Sequence, residues 1–521
     1  MVPNSFRTTL RSWKTWGFFM LQTVIFLLAI QNESLWIDEF VTAYFASLDS
    51  FDRVYELLFI TKGSQTPLHY LYYYAWGLLV QSTEFNLRLA NLPFFLFGQG
   101  ALYFALRPHP TRLRQLFLIV SAIHPMVWQY ANEARPYIMM YGGSEMILAY
   151  LLHLHALPAD SDRVNPRFTA VFVVGSILLF GGSMLGGFWV FAATVYAAYF
   201  HYRHLKWHYL KRGLSLTLVC IFLLISTLLS LYYLDSVIHG GGASRVSTTT
   251  WVTLLFDAYE LLGLSGVGPG RLELRESGLA SLEGYRLGLL LVATIFLIIL
   301  YRGIWFAIHS ISRGELIYIV IAILLPAMII VASGFIMHWR VLGRHLITLI
   351  PFINLLFAAG MTDMLEGTLG RGRFIKKVSV ICLLVMLVYS SCLLRFADRH
   401  KKDDYRTAAA IALYDLSRGK RVWWVAYGFG ALHYEVPVEY NRDSEFNPDG
   451  SLLPCTDKPK VNLIYNPSRE CLKSISQPAT VILSKLETFD KFGSVTEYLK
   501  SNNFVMVRTL PAFTIWSSSE E

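Results

Sequence analysis

Residues Trp16 to Phe40 read WGFFMLQTVIFLLAIQNESLWIDEF. The apolar run at its start, roughly 14–31, has the length of a bilayer-crossing helix. Asp38 and Glu39 follow directly, so the spacing places two adjacent carboxylates beside the membrane surface and not within it. Trp36 is the amphipathic aromatic that favours that depth. Taken alone, the pair reads as two acids in the first turn of a surface helix, where the helix dipole favours them. The rest of the chain gives it a sharper meaning.

Apolar runs like the first recur to about Leu394 and then stop. With 54% hydrophobic and 16% charged residues among 521, the chain is a polytopic α-helical membrane protein followed by a soluble domain. The expected division is 1–395 for the membrane domain and 396–521 for the soluble one. The net charge of +9 does not point to nucleic acid. The basic residues sit mostly in short loops between spans, where topology accounts for them. Arg7, Arg11 and Lys14 precede the first span, and no small-residue cleavage site follows it, so the reading is an uncleaved anchor. Cys220, Cys382 and Cys392 lie in apolar runs as packing residues, and no cysteine spacing suggests zinc.

About eleven spans are expected, roughly 14–31, 88–106, 115–131, 136–155, 168–182, 184–201, 214–234, 285–303, 315–333, 345–362 and 377–395. A cytoplasmic N-terminus puts the clusters Arg107–Arg114, Arg163–Arg167, His201–Arg212, Arg302–Arg313 and Arg371–Lys377 on the cytoplasmic side, as the positive-inside rule requires. Tyr70 to Val80 is short for a span and would reverse that bias, so it reads as a helix lying in the interface. The first external loop then runs from about Gln31 to Leu87, and a second from about Asp235 to Tyr285. An odd count leaves the soluble domain outside.

Four polar clusters fall on that external face: Asp38-Glu39; Asn132-Glu133-Ala134-Arg135-Pro136-Tyr137; Arg340 with Gly343-Arg344-His345; and Lys401-Lys402-Asp403-Asp404-Tyr405-Arg406. Glu133 and Arg135 fit a local ion pair, and Arg340, Arg344 and Lys402 fit snorkelling anchors. Basic anchors outside the cytoplasm run against the topological trend, however, and a lipid phosphate is the natural reason for them. A sugar carried on a polyprenyl phosphate has an anionic leaving group at the membrane surface. Bases there stabilise the phosphate as the glycosidic bond breaks. A carboxylate there takes the proton of an attacking hydroxyl.

These residues resemble the polytopic C-type (GT-C) glycosyltransferases that use polyprenyl-phosphate sugars, in the bacterial branch related to protein O-mannosyltransferases and to the lipid A aminoarabinose transferase. The resemblance covers Trp36-Ile37-Asp38-Glu39, Thr66-Pro67-Leu68-His69-Tyr70-Leu71, Ser82 to Leu89, Asn132 to Tyr137, Gly343-Arg344-His345-Leu346 and Lys402 to Ala409. It implies an inverting transfer on the external face of the cytoplasmic membrane, with Asp38 as base and Glu39 as a supporting acid. It places Glu133 and Arg135 at the cavity, and Arg344, with Arg340 and Lys402, on the donor phosphate. His69 and His345 stand in matched motifs as donor or acceptor contacts. The implied partners are a polyprenyl-phosphate-linked sugar, membrane lipids and a glycan, lipopolysaccharide or protein acceptor. No cofactor is assigned, and a divalent metal is left open. The chain departs from the family where His-Pro-Pro-Leu becomes Gln65-Thr66-Pro67-Leu68, and where Arg-Tyr becomes Arg344-His345.

Other signals are weaker. Gly266, Gly268 and Gly270 imitate a phosphate loop but lack its Lys-Ser/Thr, and read as a flexible loop. Glu145 lies mid-span, where an acid is either functional or paired with a neighbouring helix. The soluble tail alternates helix and strand, with strands at Val422–Ala426, Val461–Tyr465, Thr480–Leu483 and Phe504–Val507, as in a small α/β domain. Cys455 and Cys471 fall in this tail and, in an oxidising compartment, are expected to pair. Two rival readings are a transporter or flippase of lipid-linked sugars and a non-catalytic assembly protein on the same fold. The polar clusters at the membrane edge, not at the midplane, favour the enzyme.

Overall fold

The computed structural model describes residues 13–60, 66–157, 164–205, 213–239, 248–270, 273–274, 277–310, 313–366, 373–439 and 457–518. The described chain is mostly helical, with a small mixed sheet near its end. By length and composition, four helical stretches are suited to cross a membrane: Ser215–Ile238, Gly278–His309, Gly343–Glu366 and Phe374–Phe396. Thr15–Ala29, Pro166–Gly182 and Val320–Ile336 are shorter apolar helices.

The chain divides into two compact units. The first comprises 1–31, 48–79 and 85–400. At its heart the helix Tyr137–His155 is buried along nearly its whole length. Small residues let its neighbours approach. A Cβ on Gly142 would stand 2.3 Å from the Phe94 carbonyl oxygen of helix Leu92–Ala105, and one on Gly143 would stand 2.7 Å from the Gly175 oxygen of helix Pro166–Gly182. Such close backbone approach is how helices associate where lipid offers no hydrophobic contrast. Glu145, in the same helix, accepts a 2.5 Å hydrogen bond from Gln99 Nε2, and Gln22 Nε2 donates to Gln99 Oε1 at 3.2 Å. Glu145 is therefore paired with a neighbouring helix, one of the two explanations expected for it.

The glycines at 266, 268 and 270 are tied down, contrary to the expected flexible loop. Ser390 Oγ accepts the Gly266 N–H at 3.1 Å, and the Arg399 guanidinium donates to the carbonyls of Gly266 and Gly268 at 2.9 and 3.1 Å. A Cβ at Gly266 would stand 1.8 Å from the Ser390 oxygen, so the loop needs glycine for close packing.

The second unit joins 401–521 to two short pieces from early in the chain, 32–47 and 80–84. Its sheet has five strands: β1 Val422–Val425, β2 Val461–Leu463, β3 Thr480–Ser484, β4 Phe504–Leu510 and β5 Phe513–Ser518, in the order β2-β1-β3-β5-β4. β1 runs parallel to β2 and β3, and β5 runs antiparallel to β3 and β4. β5 lies beyond the four expected strands. It follows β4 through a tight turn in which Ala512 takes φ +63°, a conformation that nothing in the residue type signals. Trp423, Val425, Val481, Leu483, Val495 and Leu499 are among the residues that fill the core. Cys471 is disulfide-bonded, while Cys455 lies outside the described residues.

Candidate active site

The acid pair rides on the helix Ile37–Ala46 of the second unit. Phe40 anchors that helix. It is 1% exposed and meets Tyr405 at 4.9 Å, His433 at 5.7 Å and Tyr434 at 6.0 Å between ring centroids. Gly430 clears the space, since a Cβ there would stand 2.5 Å from the Tyr405 ring. Glu39 is fully buried, and its Oε2 accepts the Trp36 N–H at 3.4 Å and the Lys402 ammonium at 3.2 Å. Asp38 is half-buried one residue earlier. The first and fourth sequence clusters thus meet. Lys402, expected on a donor phosphate, is the counter-charge of Glu39.

A second set of bonds holds the segment leading to the pair. Arg406 donates to Glu84 Oε1 through Nε at 2.9 Å and to the Asn32 carbonyl through Nη2 at 3.0 Å. The Tyr434 hydroxyl donates to Glu84 at 3.0 Å and accepts the Leu35 N–H at 3.0 Å. Asp404 caps the helix Tyr405–Ser417 through the Thr407 N–H at 3.0 Å, and Asp403 pairs with Lys485. Glu84 and Tyr434 carried no sequence signal of this role. Their partners lie more than 300 positions away in the chain.

The Glu84 carboxyl sits below the usual carboxylate range. Burial alone pushes it up, but its own backbone N–H, Arg406 and Tyr434 together outweigh that push. A depressed carboxylate stabilises the fold above its unfolded value of about 4.3, and that stability is lost as the pH falls through the folded value. Melting curves should therefore show the second unit weakening below about pH 4.5. Glu84→Gln should be less stable at neutral pH and flatter across the acid range. An acid limb unchanged in that variant would remove Glu84 from the account.

In the first unit, the second and third clusters come together. The helix Pro67–Gly77 opens on proline, which suits a first helical position. It carries His69, 1% exposed, with its ring 4.6 Å from that of Tyr73. Burial, and then the Arg135 charge, hold the His69 imidazole well below its usual value, so it is neutral at physiological pH. Tyr73 OH donates to the Leu87 carbonyl at 2.9 Å, and Asn91 Nδ2 donates to the carbonyls of Ala131 and Glu133 at 3.3 and 2.8 Å. Glu133 is fully buried. Buried Arg88 donates to the Gln31 carbonyl at 2.9 Å, and Gln31 N–H donates to Asn132 Oδ1 at 2.7 Å. Gln31 therefore links the end of the first apolar helix to the Asn132–Tyr137 turn. The Arg344 guanidinium stands 5.9 Å from the centre of the Tyr137 ring, and His345 packs 5.2 Å from Trp339. Arg340 is exposed. Gln65 lies outside the described residues.

Among the described residues, no group of three or more His, Cys, Asp or Glu side chains is placed to hold a metal ion.

The sequence matches no family model and no curated protein. Its fold is nonetheless shared. Apo ArnT from Cupriavidus metallidurans superposes with a TM-score of 0.54 over 96% of this chain and 97% of that one, at 13% identity. The same protein bound to undecaprenyl phosphate gives 0.52 over 98% and 99%, at 14% identity. At these identities the likeness establishes the fold alone: this chain shares the fold of ArnT over nearly its whole length. The arabinofuranosyltransferase AftD from Mycobacteria is a looser match, with a TM-score of 0.40 over 98% of this chain and 40% of that one, at 12% identity.

Proposed function

We propose that the protein is an inverting glycosyltransferase that moves a sugar from a polyprenyl-phosphate donor to an envelope acceptor on the external face of the cytoplasmic membrane. The observation that carries this is the ArnT fold over nearly the whole chain, in a structure of which undecaprenyl phosphate is bound. The arrangement of the acids supports it. Glu39 is fully buried against the Lys402 ammonium, while Asp38, beside it, is only half-buried, and the proposal gives Asp38 the proton transfer.

In the proposed reaction an acceptor hydroxyl gives its proton to Asp38 as its oxygen bonds to the anomeric carbon. The bond from that carbon to the phosphate oxygen breaks, and the polyprenyl phosphate leaves with the electron pair. Arg344, helped by Arg340, holds the phosphate and stabilises its growing charge. His69, being neutral, contributes hydrogen bonding or shape and no charge. Eleven spans with an external second unit remain part of the proposal, as does an acceptor among lipopolysaccharide, another glycan and protein. The test of the whole reading is sugar release from a synthetic polyprenyl-phosphate sugar by the purified protein, which neither a transporter nor an assembly protein would perform.

One prediction separates binding from anchoring. Arg344→Ala should weaken donor binding about tenfold or more, the loss of a charge-assisted phosphate contact. Arg344→Lys should recover only part, because the bidentate geometry is gone. Unchanged donor affinity in Arg344→Ala would make the residue an interfacial anchor.

A further inference from the structure

The short helix Trp251–Leu261 lies in the second external loop and belongs to the first unit. It carries two buried acids one turn apart: Asp257 is 2% exposed and Glu260 is 7% exposed. The proposed reaction uses neither. Buried carboxylates so placed repel, and each loses hydration, so they persist only where other groups favour them. Those groups come from the segment that carries Arg344. A Cβ on Gly343 would stand 2.3 Å from Glu260 Oε2, which places Glu260 against the Gly343 backbone. Burial, and then Glu260, push the Asp257 carboxyl up to about 7, while Arg340 and the Gly343 N–H pull the other way.

The same segment is clamped just before the helix. Thr249 Oγ1 donates to the Trp339 carbonyl at 2.6 Å and accepts the Val341 N–H at 3.0 Å. Leu342 N–H in turn donates to His345 Nδ1 at 3.1 Å. Thr249 thus holds residues 339–341, and Glu260 packs on the backbone of Gly343. Arg344 follows immediately, with its guanidinium by the Tyr137 ring.

We propose that Glu260, with the buried Asp257 one turn before it, is a positioning residue, which packs on the Arg340–Gly343 turn and thereby sets where Arg344 presents its guanidinium to the donor phosphate. The proposal rests on the donor-phosphate role given to Arg344 above. The acids touch no reacting atom. Their effect passes through the turn, in the way that supporting groups fix the geometry of a site residue.

The test is binding of undecaprenyl phosphate to the purified full-length protein in detergent, with thermal stability measured alongside. Asp257→Asn and Glu260→Gln keep volume and remove charge. Each should weaken binding roughly tenfold, a coupling of the size neighbouring charged groups show, at an unchanged melting temperature. In an Arg344→Ala background the same substitutions should add nothing, because there is no guanidinium left to place. Wild-type affinity in both acid variants, where Arg344→Ala alone weakens binding, would overturn the positioning role. A full additional loss in the Arg344→Ala background would also overturn it, and assign the acids a general structural role. Failure of the unaltered protein to bind undecaprenyl phosphate would fell the functional reading and this inference with it, a result distinct from the other two.

Discussion

Asp38→Asn should lower sugar transfer by about two to four orders of magnitude, the range lost when a positioned general base is removed. The substitution keeps size and shape and removes only the basic oxygen. The helix that carries it is held by other residues: Phe40 among its aromatic neighbours, Glu39 on Lys402, and the Leu35 N–H on Tyr434. The fold should therefore survive, and binding of polyprenyl phosphate should stay near the wild-type value. That separation of turnover from binding is the signature of a group acting in the chemical step. Glu39→Gln should cost less turnover, since Glu39 is already engaged by an ammonium. If Asp38→Asn turned over at near the normal rate and Glu39→Gln were dead, the two roles would have to be exchanged.

The second large effect is on stability. Lys402→Met should destabilise the second unit by about 3 kcal/mol or more, because it leaves a buried carboxylate without its counter-charge. The Glu39 side chain is fully buried and that of Lys402 is 12% exposed, so solvent screens the pair little. The double variant Glu39→Gln with Lys402→Met should recover much of the loss, since neutral side chains at both positions leave no stranded charge. Thermal unfolding of the four proteins in detergent closes that cycle. Additive losses across it would mean that the two groups do not depend on each other, and that the ammonium is an interfacial anchor.

Much of the architecture was legible from local pattern. Apolar runs of membrane length, the tail of soluble composition and the acids after the first run are all properties of short windows of sequence. Asp38 and Glu39 stood out because of where the apolar run ended. What holds them could not be read in this way. Glu39 meets Lys402 across 363 positions, and Glu84 meets Arg406 across 322. No periodicity encodes such pairs, so the contact of Lys402 with Glu39 carried no signal in the sequence. Asp257 and Glu260 were hidden for a different reason. The helix Trp251–Leu261 mixes apolar and polar residues, and only the packing of the Gly343 turn shows its acids buried. β5 was missed because its turn depends on a left-handed alanine, which residue type does not announce.

The central claim is that this chain breaks the bond between a sugar and a polyprenyl phosphate, with Asp38 as base. The most direct measurement incubates the purified protein with a radiolabelled polyprenyl-phosphate sugar and an envelope extract as acceptor, and follows both polyprenyl phosphate and labelled product. The account predicts that the two appear together and in equal amounts, and that Asp38→Asn abolishes both while still binding the lipid. Donor that stays intact under wild-type protein, or that is consumed equally well by Asp38→Asn, would contradict it.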